Sequence, residues 1–263
     1  MVRLVVYKKA LLFGLSQVTN YRSEVWLSIL GKLVSLLGVV FLWSIIGKFS
    51  EGISGVSSLA AYFLIANGVQ GLVDAESLRF SKVINHEVKL GGLSAHLLHP
   101  VNPVMYMYAN FWGTRGMYIL TALVFILLGF SFLPSLSLLQ LILFLVSLLL
   151  SFAVAFIFNL FIGSLSFWTP EANHLQNVMS HILRVFSGVL IPVSFFSGTA
   201  KTALILSPFP ALAYLPSVLV QSKVVTAEMW TIFGAAIFWS AVLLPASFWF
   251  WKKGLKRYEA IGI

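Results

Sequence analysis

Five polar residues stand close together in the first half of the chain: Lys82, Asn85, His86, Glu87 and Lys89. His96 and His99 follow within the same short stretch. Metal binding is the first chemistry to test. The histidines at 86, 96 and 99 fit no compact zinc spacing without further ligands, so no metal site is expected. There is no cysteine, which excludes thiolate nucleophiles and iron–sulfur clusters. No G-x-S-x-G elbow and no G-x-x-x-x-G-K-[ST] phosphate loop occurs. The chain therefore has no expected catalytic residues and cannot split ATP through that loop. What remains for the cluster is docking. Apolar Val83, Ile84, Val88 and Leu90 alternate with the polar residues as on a short helix, and Gly91-Gly92 stops it. Pro100 and Pro103 close the segment.

A second constellation lies further on. Asn173, Asn177, His181, Arg184 and Ser187 step by three or four residues, so they share one helix face. Arg184 falls near the middle of an apolar stretch, where a charge costs about 2.5–3.5 kcal/mol on insertion scales. Several roles fit it. With Asn177 and His181 it could line a route for an anionic substrate, or it could pair with Glu171 or Asp74, or snorkel to lipid phosphate. Asn67, Gln70, Asp74 and Ser77 form a similar stripe, readable as part of the route or as hydrogen bonds between helices. Asn159, Gly163 and Ser166 repeat the theme faintly.

The elements that must position these residues are set by solvent. Of 263 residues, 59% are apolar and 10% charged, against about a quarter charged in soluble domains. The expected fold is an all-α integral membrane protein with six transmembrane helices, over 25–47, 59–78, 116–133, 138–161, 172–196 and 230–251. Residues 3–20 read as an amphipathic helix lying in the interface, and 104–115 as an interfacial lead into the third span. The proline-rich 197–229 reads as a re-entrant hairpin on the external side. The net charge of +9 comes from cations flanking spans, which points to anionic lipid rather than nucleic acid. Arg3, Lys8, Lys9, Arg22, Arg79, Lys82, Lys89, Arg115, Lys252, Lys253, Lys256 and Arg257 gather on one side; Lys48, Lys201 and Lys223 lie on the other. Both termini and the 82–103 loop are thus expected in the cytoplasm.

The run INHEVKLGGLSAHLLHPVNP resembles the first cytoplasmic loop of ATP-binding cassette (ABC) permeases of the type-2 exporter family. Phe167-Trp168-Thr169 before Glu171-Ala172-Asn173, Phe186-Ser187-Gly188 with Ile191-Pro192, Ser207-Pro208-Phe209, and the tail from Lys253 to Gly262 extend the likeness over nearly the whole chain. The resemblance implies a single permease domain. Residues 3–20 would be its elbow helix, and 82–103 the coupling loop that docks on an ATPase. It implies two permease subunits, identical or paralogous, around one route in a bacterial plasma (inner) membrane. ATP and Mg would be bound by partner ATPase subunits, with no cofactor on this chain. An ion-coupled carrier or a membrane scaffold is the alternative from another class.

Overall fold

A computed structural model describes residues 6–9, 12, 22–47, 56–74, 78–98, 100–133, 135–169, 172–222 and 224–258. The expected elbow helix over 3–20 falls largely outside these residues, as do Glu171, Glu76, Ser77 and His99. The described residues are helical, with no strand among them. In order they form α1 (Arg22–Gly47), α2 (Val56–Val73), α3 (Arg79–Lys89), α4 (Leu93–Leu97), α5 (Pro103–Gly113) and α6 (Gly116–Ser131). There follow α7 (Leu138–Ser164), α8 (Ala172–Phe186), α9 (Gly198–Ile205), α10 (Tyr214–Gln221) and α11 (Ala227–Leu255).

Among the described residues two helical stretches, Leu138–Phe167 and Ala227–Leu255, are long and apolar enough to cross a bilayer unaided. Their outward faces carry Leu139, Ile142, Leu149, Ile237, Phe238 and Val242, all exposed. An exposed apolar surface of this extent belongs in lipid, where a helix satisfies its own backbone groups. The start of α7 is cut sharply by a reciprocal cap. Ser137 Oγ accepts from Gln140 N at 3.2 Å, and Gln140 Oε1 accepts from Ser137 N at 2.8 Å.

The expected segment 25–47 is covered by α1, and the remaining expected spans are modified. Helices α5 and α6 meet at 67° across a break at Thr114-Arg115 and make at most one broken span. Pro103 opens α5 at its first turn, and Asn102 Oδ1 accepts from Val104 N at 3.0 Å. The span expected over 59–78 ends at Val73, because Asp74 turns into the left-handed region at φ 55°. The span expected over 172–196 stops at Phe186. Gly188 at φ +91° reverses the chain, and Tyr214 N donates to Ser187 O at 2.9 Å to hold the turn.

The described part of 197–229 forms short helical pieces, α9, a 3-10 turn at Phe209–Leu212, α10 and the start of α11. Its broken backbone is buried among Leu212, Leu215 and Leu219, and Ser151 Oγ of α7 donates to Ala211 O at 2.6 Å.

Helices α2 and α6 pack antiparallel with their backbones in near contact. A Cβ on Gly68 would lie 2.6 Å from Ile126 Cγ1 and 2.8 Å from Ala122 O. One on Gly129 would lie 2.5 Å from Ile65 Cγ1. Small residues at such crossings let apolar helices associate without a hydrophobic driving force between them. Gly68→Ala and Gly129→Ala should each cost about 1–3 kcal/mol by overpacking. Gly234→Ala, with nothing within 4 Å of its added carbon, should be neutral. Equilibrium unfolding in mixed micelles checks all three.

Candidate functional site

Helix α3 carries the polar cluster and has no cap of its own. Its preceding residue, Leu78, sits at φ 44° and offers no side-chain hydrogen bond. The orphan amides of its first turn are satisfied from elsewhere. Asp74 Oδ2 accepts from Arg79 N at 3.0 Å and from Phe80 N at 3.4 Å. Asn159 Oδ1, from α7, accepts from Ser81 N at 3.0 Å. A carboxylate there also meets the positive end of the helix dipole.

Asp74 is buried, and its second oxygen accepts from Arg115 Nη1 at 2.7 Å. Arg115 fills the break between α5 and α6 and is buried as deeply. The rings of Phe111 and Tyr118 lie 5.2 and 5.1 Å from its guanidinium carbon. Arg79 also lies over the Tyr118 ring, 4.4 Å from its centroid. Asn159 Nδ2 donates to Ala155 O at 2.9 Å and to Asp74 O at 3.4 Å. One small polar knot thus joins α2, α3, α6 and α7.

Helix α8 joins the same helix from another side. Gln176 Nε2 donates to Ser81 O at 3.1 Å, and Asn85 Nδ2 donates to Asn173 Oδ1. Phe80 and Ile84 complete the inward face. Phe80 packs at ring-centroid distances of 4.9 Å from Tyr108 and 5.5 Å from Phe111. Ile84 lies so close to Gly163 that an added Cβ would meet its Cδ1 at 2.8 Å.

At the far end Gly91, at φ 75°, turns the chain into α4. Glu87 Oε2 and His96 Nε2 meet there at 3.3 Å. The hydrogen bond from His96 is the main cause that holds the Glu87 carboxyl below its ordinary pKa. Gly92 leaves room beside this pair, since an added Cβ would displace the Glu87 carboxylate.

The expected docking set therefore divides. Lys82, His86 and Lys89 are exposed and form one outward stripe at i, i+4 and i+7. Asn85 and Glu87 are not on it: Asn85 is buried against α8, and Glu87 turns toward α4. The helical period dictates this, since Asn85 shares its face with Ser81 and Ile84.

The expected route set divides as well. Asn177 and His181 lie exposed on α8, away from buried Gln176 and Leu183, and Arg184 is half-buried beside them. Asp74 is far from that face in role: it is committed to Arg115 and to the start of α3. Gln70 does bond between helices, as one reading of its stripe had it, donating to Ser187 Oγ at 3.4 Å. Gln176 is not singled out by its sequence context, and Arg115 reads there only as the end of an interfacial stretch and as one of the cytoplasm-side cations. The available signal was a cation set between Phe111, Trp112 and Tyr118, at a break between two apolar stretches.

Removing one partner of a buried ion pair leaves the other uncompensated, at about 3–5 kcal/mol. Arg115→Met should lose stability on that scale, and Asp74→Asn, which retains an oxygen for the amides, a similar amount. The double variant should lose less than the sum of the two in a mutant cycle read by unfolding in micelles. For Glu87 the sign follows from its lowered pKa. The contact with His96 contributes stability above the unfolded carboxylate pKa and loses it as pH falls through the lower folded value. The Glu87 carboxyl carbon should titrate by NMR below the ordinary glutamate range, and His96→Ala should move it back up.

The family described as ABC-2 family transporter protein matches residues 33–262. No curated protein matches the chain. The family match covers α2 to α11 and most of α1, and so includes the anchored helix and all the residues that hold it. This membrane-embedded helical chain belongs to the ABC-2 family of transporter proteins.

Proposed function

We propose that the chain is the membrane-spanning permease subunit of an ATP-binding cassette exporter, with α3 as the coupling helix pressed by a separate ATPase subunit. The observation that carries this reading is the division of α3 into two faces. Inward, Asp74, Asn159, Gln176 and Asn173 fix it to three neighbouring elements, the end of α2, α7 and α8. Outward, it offers Lys82, His86 and Lys89. A helix clamped on one side and charged on the other transmits a push as a rigid body, because buried polar bonds resist sliding.

In this reading the push reaches α8 through Asn85–Asn173 and Gln176–Ser81. The exposed face of α8, with Asn177, His181 and Arg184, lines the route where a second permease subunit, identical or paralogous, completes it. Asp74 belongs to the lever and not to the lining. The positive-inside distribution supports a cytoplasmic α3 and cytoplasmic termini, in what we take to be a bacterial inner membrane. Six crossings then require α1, α2 and the α8 region to pass with help from neighbouring segments, and 3–20 to lie as an elbow helix on the cytoplasmic surface. ATP and Mg are held by the ATPase.

Lys82→Glu with Lys89→Glu should leave assembly of the complex intact but uncouple ATP hydrolysis from transport in proteoliposomes. Unchanged coupling in that double variant would count against α3 as the contact. Arg184→Ala should abolish transport while ATPase and permease still co-purify; full transport would remove Arg184 from the route.

A further inference from the structure

Helix α11 is two-faced from end to end. Ile232, Ala236, Ser247, Trp251 and Gly254 are buried, at the three- and four-residue steps that keep to one face. The opposite face is bare. Phe238, Val242 and Trp249 share it, in steps of four and seven, and all three are exposed. The same line continues into Lys253 and Lys256, with Lys252 beside them, and these too are exposed. One uncovered stripe thus runs from apolar to cationic without a break.

Trp249 marks the change. Lys253 Nζ lies 5.2 Å from its ring centroid, which draws the cation down onto the top of the apolar run. A tryptophan at such a border sits at the depth of lipid headgroups. Behind the stripe the helix end is packed. Trp251 meets the Phe167 ring at 5.1 Å between centroids, and a side chain on Gly254 would strike the same ring. Just beyond, the hydroxyls of Tyr258 and Ser94 of α4 lie 3.1 Å apart. The lysines therefore project outward from a helix end fixed on its other side.

Chemistry narrows the occupant. Lysines alone would accept any anion, but the apolar run on the same face asks for a hydrocarbon chain joined to that anion. A second copy of the chain is a poor fit. Contact of this face with itself about an axis normal to the membrane would set the lysines of one copy against those of the other. We propose that this face of α11 binds an anionic phospholipid, its phosphodiester at Lys252, Lys253 and Lys256 and an acyl chain along Trp249, Val242 and Phe238. The assignment does not depend on α3 contacting an ATPase.

The test uses the full chain in phosphatidylcholine nanodiscs. The chain has no cysteine, so a fluorophore on Ala246→Cys, beside the stripe, is unique. Quenching by doxyl-labelled phosphatidylglycerol is compared with quenching by doxyl-labelled phosphatidylcholine. One lysine at an anionic surface is worth about five-fold in partition. The expected preference for phosphatidylglycerol at this position is therefore at least about five-fold. Joint replacement Lys252→Gln, Lys253→Gln and Lys256→Gln should bring it close to one, while unchanged quenching by phosphatidylcholine shows that this variant is folded. Lys82→Gln with Lys89→Gln should leave the preference intact. A fluorophore on Leu149→Cys, exposed on α7, should show almost none. Equal quenching by the two lipids at Ala246→Cys would overturn the proposal, as would a preference that survives loss of the three lysines. An equal preference at Leu149→Cys would reduce it to the attraction of net charge. Quenching by neither lipid at Ala246→Cys would show the face covered by protein and would sink it as well.

Discussion

A single carboxylate organises the cytoplasm-facing chemistry proposed for this protein. Asp74 ends α2, caps α3 and receives Arg115 from the head of α6. Its two oxygens are both committed in a buried place, where an unpaired charge would be expensive. Because each partner lies on a different element, none can shift alone without leaving a buried polar group unmet. The pair is thus less a source of stability than a constraint on how α2, α3 and α6 sit together.

Around that constraint the packing is close and specific. Gly68 and Gly129 bring α2 and α6 together, and Gly163 admits Ile84 of α3 to α7. Gly254 does the same on α11, where an added side chain would strike the Phe167 ring. Aromatic residues fill what remains: Phe80, Tyr108, Phe111 and Phe156 form one connected group under α3. In lipid, apolar helices gain little from merely meeting, so near contact of backbones and a few polar bonds must supply the preference. A displacement of α3 would therefore be felt in α7 and α8 before any lipid-facing surface changed.

Much of the candidate site was legible. Gly91-Gly92 marked the end of α3, and the helical period of 82–90 foretold a two-faced helix. The assignment of Asn85 and Glu87 to the outer face failed for a physical reason. Polarity alone suggests exposure, but a buried amide is stable when another element brings it a partner, as Asn173 does. The spans at 59–78 and 172–196 were drawn too long for a related reason. Hydropathy averages over a window and does not register one left-handed residue, such as Asp74 or Gly188, at which the helix must stop.

The sequence by itself determined the solvent, the helical class and the family likeness, because apolar content and charge placement are properties of the chain whatever its fold. Only the tertiary structure decided which polar residues face one another. Arg115 is some forty positions from Asp74, and Asn159 and Gln176 lie far beyond either. Spacing along a chain governs contacts within one helix, whereas contacts between helices depend on how the bundle closes.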